Sequence, residues 1–450
     1  MEMVRRFAVA VGIATLLALA PCRGAVADED AAADNAAPGE AVAAAPYSGD
    51  FLTRSTLTGD WGGVRNDLAA KGITFDASVT QVGQGVVQGG KDSRWQYGGR
   101  GELLGNLDTQ KAGLWPGGFL TVEMEGNWTN DVNARTGALM AANTNQLFPV
   151  PAGNHLNLPQ LSFAQFLSPY AGVFAGKLDT SSGDANAFAH GKGDDQFMNL
   201  GFNFNPTLLF IAPYSTLGAG VIVLPTKDPA EAIAQFSVIQ HNGTSEEPGF
   251  DDLSIHKLSF AGEGRVRTGF FGLTGHQLVG GGYSNDTFTA IDQRLSDTIG
   301  QQALKKRDGS WGVYYNFDQF LYEPEPEHGI GVFGRFGASD GDPNFLHYFY
   351  SIGIGSKGLI PGRPNDRFGI GYYYLDVNNP TLTIVRQTRE FLRDEWGLEA
   401  YYNVAITPWL MITSDLQLIG PAQKQKILGL VQRENIDPAV VLGIRGKVVF

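Results

Sequence analysis

Two glutamates, Glu123 and Glu125, stand two residues apart in the alternating run Leu120–Trp128. In extended backbone that spacing puts both on one face, roughly 6–7 Å apart at about 3.3 Å per residue. Paired carboxylates suggest sugar hydrolysis, since retaining glycosidases use carboxyls about 5–5.5 Å apart. Carboxylates on one strand lie side by side and do not flank a bond, so that chemistry is set aside. Two readings remain open: an acidic strip that accepts hydrogen bonds from a hydroxyl-rich solute, or a solvated face that touches none. Glu263, Arg265 and Arg267 share a face in the same way, and Arg335 follows Gly331 and Phe333 on another run. These arginines offer rigid donors. The competing reading is that Arg265 pairs with Glu263 and only braces its wall. Glu399 and Tyr401 fall on the polar face of Trp396–Ile406. Tyr401 and Tyr373 offer ring faces for stacking, or places in an interfacial girdle. Arg363 and Asp366, in a Pro/Gly turn, read as a loop ion pair.

Other motifs fail on context. Gly329–Gly334 and Gly353–Gly358 fit G-x-G-x-x-G, but a dinucleotide fold needs a helix to follow, and strand residues or a Pro-rich turn stand there. Gly337-Ala338-Ser339-Asp340-Gly341 fits the nucleophile-elbow pattern, yet Pro343 breaks the helix an elbow needs. Asp340, Asp342 and Asn344 have calcium-loop spacing, but Phe345 occupies the EF-hand glycine position. A loose loop calcium site stays open. The seven histidines show no ligand spacing. No cofactor, metal or catalytic centre is expected.

The elements that position these residues begin after an export signal. Arg5 and Arg6 precede the apolar run Phe7–Ala20, and Ala25-Val26-Ala27 offers a small-x-small cleavage site. Cys22 raises a lipoprotein alternative, which Pro21 disfavours. Residues 1–27 are read as signal and Asp28 as the mature start. The chain has a formal charge of −13, which argues against nucleic acid as a partner. Cys22 is its single cysteine, so no disulfide framework follows. No later segment supplies the eighteen or more apolar residues of a transmembrane helix. A mean hydropathy of −0.11 suits a soluble exported protein or a membrane barrel alike. The 59 glycines and the 28 Phe, 15 Tyr and 7 Trp favour the barrel, whose strands use aromatics as girdles and glycine at bends.

Residues 28–54 read as a disordered leader, rich in Ala, Asp, Glu and Pro. Residues 55–72 hold a short helical segment over Asp60–Ala70, capped by Asp60, although Gly62 and Gly63 weaken it by about 1 kcal/mol each. From Ile73 the dominant period is two. Leu120, Val122, Met124 and Trp128 oppose Thr121, Glu123, Glu125 and Asn127. Trp396, Leu398, Ala400, Tyr402, Val404 and Ile406 oppose Glu395, Glu399, Tyr401 and Asn403. Val440, Leu442, Ile444, Val448 and Phe450 oppose Arg445 and Lys447. Further strands are expected at Trp95–Asn106, Gly172–Leu178, Leu217–Leu224, Leu258–Phe271, Trp311–Phe320, Gly329–Phe336, Tyr348–Gly355, Phe368–Leu375 and Ile412–Leu418. Polar faces carrying Glu, Asp and Arg, apolar faces rich in aromatics, and a last strand ending on Phe450 point to an all-β transmembrane antiparallel barrel over 73–450.

The chain resembles the carbohydrate-selective porin family OprB. The resemblance rests on Leu57-Thr58-Gly59-Asp60-Trp61-Gly62-Gly63-Val64-Arg65, Gly176-Lys177-Leu178-Asp179-Thr180, Phe197-Met198-Asn199 and Asn205-Pro206. It continues through Asp318-Gln319-Phe320-Leu321-Tyr322, Gly331-Val332-Phe333-Gly334-Arg335, Gly358–Asp366, Thr407-Pro408-Trp409-Leu410, Asp415-Leu416-Gln417 and Leu442-Gly443-Ile444-Arg445. The pieces keep their order from Leu57 to Phe450. The resemblance implies about sixteen strands, short periplasmic turns, longer outer loops and passive diffusion of glucose and related sugars. It adds Lys177 and Asp179 to the candidate pore-lining set, or makes them loop anchors. The expected partners are a small carbohydrate and outer-membrane lipid of a Gram-negative bacterium, with the chain a monomer or homotrimer. The competing functions are a general diffusion porin, an adhesion or assembly barrel, and a soluble carbohydrate enzyme.

Overall fold

The computed structural model of the chain describes residues 47–128, 130–150, 156–181, 184–251, 253–294, 304–384, 387–427 and 433–450. The expected signal, and residues 28–46 of the expected leader, lie outside the described residues.

Period-two alternation builds the wall. Sixteen strands form it among the described residues: β1 (Ile73–Gln88), β2 (Trp95–Asp108), β3 (Gly118–Trp128), β4 (Leu156–Ser168), β5 (Ala171–Asp179), β6 (Ser215–Val223), β7 (Ala232–Gln240), β8 (Leu258–Thr268), β9 (Gly275–Thr289), β10 (Lys306–Glu325), β11 (His328–Ser339), β12 (Leu346–Lys357), β13 (Arg367–Val377), β14 (Glu395–Thr407), β15 (Leu410–Gly420) and β16 (Ala439–Val449). Each pairs antiparallel with the next, and β1 pairs with β16, so the sheet closes. Closure leaves no strand edge in lipid, where unpaired backbone would be costly. Trp128, Val221, Val279, Ile352, Ile370 and Ile444 face outward and are exposed, while Arg100, Glu125, Arg335, Asn403 and Arg445 face inward and are buried. The polar and apolar faces of the three runs read from the sequence point as expected.

The two ends differ. At the end where β1 begins and β16 finishes the connections are short, as at 169–170, 326–327 and 408–409. At the other end the links from β3 to β4 and from β5 to β6 are long. Short turns mark the periplasmic side of such barrels. At that side Arg65 locks the seam between β1 and β16. Its Nη1 donates to Phe450 O at 2.9 Å and to Thr56 Oγ1 at 3.0 Å, and its Nη2 donates to Phe75 O. Its guanidinium lies over the rings of Tyr47 and Trp61.

Several elements differ from the sequence reading. The helix α1 spans Val64–Ala70 only. Trp61, Gly62 and Gly63 all take left-handed φ, so Asp60 cannot cap it and instead accepts from Gly62 N at 3.1 Å. Residues 47–54 hold turns tied to the barrel, with Trp409 Nε1 donating to Phe51 O at 2.8 Å. The strand expected to reach Phe271 ends at Thr268, where Gly269 opens a turn. Strands β1, β4, β7 and β9 were not singled out in the sequence. In β4 the β3 register shifts beside Pro159, the bulge a strand proline needs. In β9 the run Gly280–Gly282 blurs the alternation. It is there because a Cβ at Gly280 would come within 2.3 Å of the Tyr314 ring.

Candidate functional site

The lumen is partly filled. Residues 130–150 and 184–214 turn inward, and their side chains are mostly buried. Phe148, Phe188, Phe197, Phe202 and Phe204 from these loops pack with Phe333, Phe349, Tyr373 and Tyr401 of β11–β14. The seat is cut by glycine. A Cβ at Gly331 or Gly355 would meet Phe188 at 2.5 Å, and one at Gly371 would meet Phe202 at 2.6 Å. The glycine-rich motifs of β11 and β12 therefore make room for loop aromatics. Each buried Phe contributes roughly 1.5–3 kcal/mol, enough in sum to hold the loops against the wall.

Charge completes the attachment on both sides of the ring. On the β2–β5 side, Lys192 Nζ lies 2.8 Å from Glu123 Oε1 and 2.6 Å from Asp179 Oδ2, and it also pairs with Glu125. Arg100 pairs with Glu125, with Glu102 at 2.7 Å and with Asp194 at 3.2 Å. Tyr214 donates to Glu125. On the opposite side, Arg335 pairs with Asp184 and donates to Phe202 O and Ala189 O. Arg367 pairs with Asp195 at 2.9 Å. Nearer the seam, Arg445 and Lys447 of β16, the neighbour of β1, hold Gly193 O and Asp194. Glu395 accepts from Met140 N at 2.9 Å, and Glu399 from Asn199 N at 2.8 Å. The run Gly191–Asp195 therefore spans the lumen between walls that lie across the ring from each other.

The loop-tip charges respond to this setting. Burial alone would lower the Lys192 amine, but Asp179, Glu123 and Glu125 outweigh it and raise it well above the usual lysine range. Burial pushes Asp195 up, and Arg367 and Lys447 reverse that, holding it well below the usual carboxylate range. Asp194 is lowered for the same kind of reason, with Lys447 and Arg100 overcoming its burial.

The expected residues divide. Glu123, Glu125 and Asp179 meet in one lumen cluster, and Arg335 and Glu399 hold the loop from the far wall. None of these five is open to a solute, because each is buried against protein partners. Tyr401 stacks edge-on with Phe197 at 4.8 Å, and Tyr373 is fully buried, so neither forms a free stacking face or a girdle. Arg265 and Arg267 line the periplasmic mouth. Arg265 donates to Pro229 O at 3.0 Å, and Arg267 pairs with Glu231 at 2.6 Å. Arg265 is thus braced by the 224–231 turn. Lys177 is a correction. It shares the outward parity of exposed Val173, and its Nζ donates to Glu247 O on loop 241–257. Asp179, two residues on, reaches the lumen because β5 ends there and Ser181 N draws its carboxylate round at 2.7 Å. The carboxylates of the calcium-like spacing have protein partners. Asp340 accepts from Trp311 N and Asn344 N, and Asp342 pairs with Arg307 at 2.7 Å. Arg363 and Asp366 pair at 2.9 Å in their turn.

Sequence reasoning missed Arg100, Glu102, Lys192, Asp194, Asp195 and Arg367. The charged, glycine-punctuated run Gly191-Lys192-Gly193-Asp194-Asp195 was a signal for the loop tip. Carboxylate oxygens of Glu102, Glu123 and Glu125 lie within 4.8 Å of one another, a spacing fit for a cation. Arg100 and Lys192 already supply positive charge there, so the cluster is complete with protein groups. Around the loop tip, Glu102, Asp194, Asp195, Arg367 and Lys447 keep partial exposure.

Residues 94–450 match the profile of the carbohydrate-selective porin, OprB family. Porin B of Pseudomonas aeruginosa is 24% identical over 440 residues, covering 88% of this chain and 91% of its own. The high-pH structure of Pseudomonas putida OprB superposes with a TM-score of 0.74 at 21% identity, covering 89% of this chain and all of that one. The low-pH structure of the same protein gives 0.53 at 18% identity, with 89% and 99% covered.

Proposed function

The chain belongs to the carbohydrate-selective OprB porin family, and from that premise we propose that it passes glucose and related sugars by passive diffusion. The protein is a sugar-selective porin of the Gram-negative outer membrane. The solute path we assign runs beside the loop tip, past Glu102, Asp194, Asp195, Arg367 and Lys447. The observation that carries this is their partial exposure within an otherwise buried lumen network.

The chemistry is exchange. A sugar gives up water and takes carboxylate acceptors from Glu102, Asp194 and Asp195 and donors from Arg367 and Lys447. Binding has to be strong enough to admit the solute and weak enough to release it. Opposite charges on facing walls orient water in the gap and disfavour apolar solutes. Arg265 and Arg267 extend the polar lining to the periplasmic mouth. Glu123, Glu125, Asp179, Arg335 and Glu399 serve as the frame behind the path, and Tyr401 as packing. A channel with this lining needs no reaction step and no partner chain, so a monomer suffices.

Swelling of proteoliposomes in glucose, maltose and maltotriose tests the reading. Glucose entering fastest, with the rate falling steeply with chain length, is the expected result. Equal rates for all three sugars would contradict a monosaccharide-sized path.

A further inference from the structure

We propose that the outer wall at β5–β8 carries a cleft for one acyl chain of an outer-leaflet glycolipid. Leu217, Ala219, Val238 and Leu258 floor it, and Phe250 and Leu253 of loop 241–257 roof it, around a volume of about 370 Å³. The floor residues share the outward parity of Val221 and Val223, which are exposed to lipid farther down β6. The cleft therefore continues the surface that already meets hydrocarbon. It sits at the loop-bearing ends of these strands, the depth of the outer leaflet.

The loop has a reason to fold down there. Lys177 faces the same side, and a lysine amine on the lipid face is costly toward mid-bilayer and less so toward the interface. The carbonyl of Glu247 supplies it a partner, so the loop backbone is held against the wall. The roof then leaves Phe250, Leu253 and Ile255 exposed at 67%, 59% and 77%. That apolar surface is costly in water and favourable against an acyl chain. Lys257, exposed beside Leu258, gives a headgroup phosphate a counter-charge at the upper rim.

The test is native mass spectrometry of the full mature chain in maltoside detergent, titrated with purified lipid A. One saturable lipid A adduct is expected. Ala219→Trp fills the floor and Phe250→Glu charges the roof, and each lowers adduct occupancy at least tenfold. Phe271→Glu, exposed in the turn at the opposite end, leaves it unchanged. Heat-modifiable migration checks that each barrel is folded, and Phe250→Glu, a loop change, carries the test if Ala219→Trp does not fold. Equal occupancy in wild type and Phe250→Glu overturns the proposal. So does binding of phosphatidylethanolamine with none of lipid A, or oligomers that Phe250→Glu abolishes.

Discussion

Lys192 concentrates the account at the scale of a residue. It neutralises Glu123, Glu125 and Asp179 in a buried setting. Removing one partner of a buried charge network costs about 3–5 kcal/mol because the others stay unpaired. Lys192→Met is therefore expected to free the loop tip from β3 while the barrel stays folded. Single-channel conductance should rise and fluctuate, and unchanged conductance would show that the tip is held elsewhere. Asp195 makes a second prediction, in pH. Its folded pKa is depressed by Arg367 and Lys447. A depressed carboxylate contributes above its unfolded pKa, about 3.9, and loses the contribution only as pH falls through the lower folded value. The difference in glucose block between wild type and Asp195→Asn should hence stay constant from pH 8 to pH 5. A difference that vanishes near pH 6 would contradict the assignment.

At the scale of the element, the wall was open to reading and the lumen filling was not. The faces of β3, β14 and β16 follow from period two, because lipid on one side and polar contacts on the other impose it. Glu123, Glu125 and Arg335 were found for that reason. Their partners were hidden because Lys192, Asp194 and Asp195 sit in a loop with no period, where long-range contacts set the position. Lys177 and Asp179 show the limit from the other direction. They share parity on paper, and the strand end separates them. Glycine patterns carried information that alternation did not. Gly371→Leu should push Phe202 off β13, raise conductance and leave the barrel resistant to detergent. A silent substitution would mean that the loop does not need that seat. Arg65→Ala removes the clamp on the β1–β16 seam, including its bonds to Phe450 O and Thr56. The temperature of heat modification should fall by several degrees with glucose block unchanged. Altered block would tie the seam to the solute path.

For the whole molecule, closure and filling do different work. Sixteen paired strands satisfy the backbone and need no partner. The two inward loops then convert a wide ring into a narrow polar gap, which a ring of β-strands alone does not provide. The strand count came from family resemblance, since four of the sixteen strands were not singled out on their own. The role of the barrel was read from its polar face, and the proposed solute path rests on the loops.

The most direct test is single-channel conductance of the mature protein in a planar bilayer, titrated with glucose, for wild type, Glu102→Gln and Asp194→Asn. Glu102 and Asp194 are placed as acceptors on the path, and a hydrogen bond to a charged group is worth about 1.5–3 kcal/mol. The account predicts saturable glucose block in wild type, weakened about tenfold or more in each variant. Saturable block left unchanged by both substitutions, or no block in a folded wild-type barrel, would contradict it.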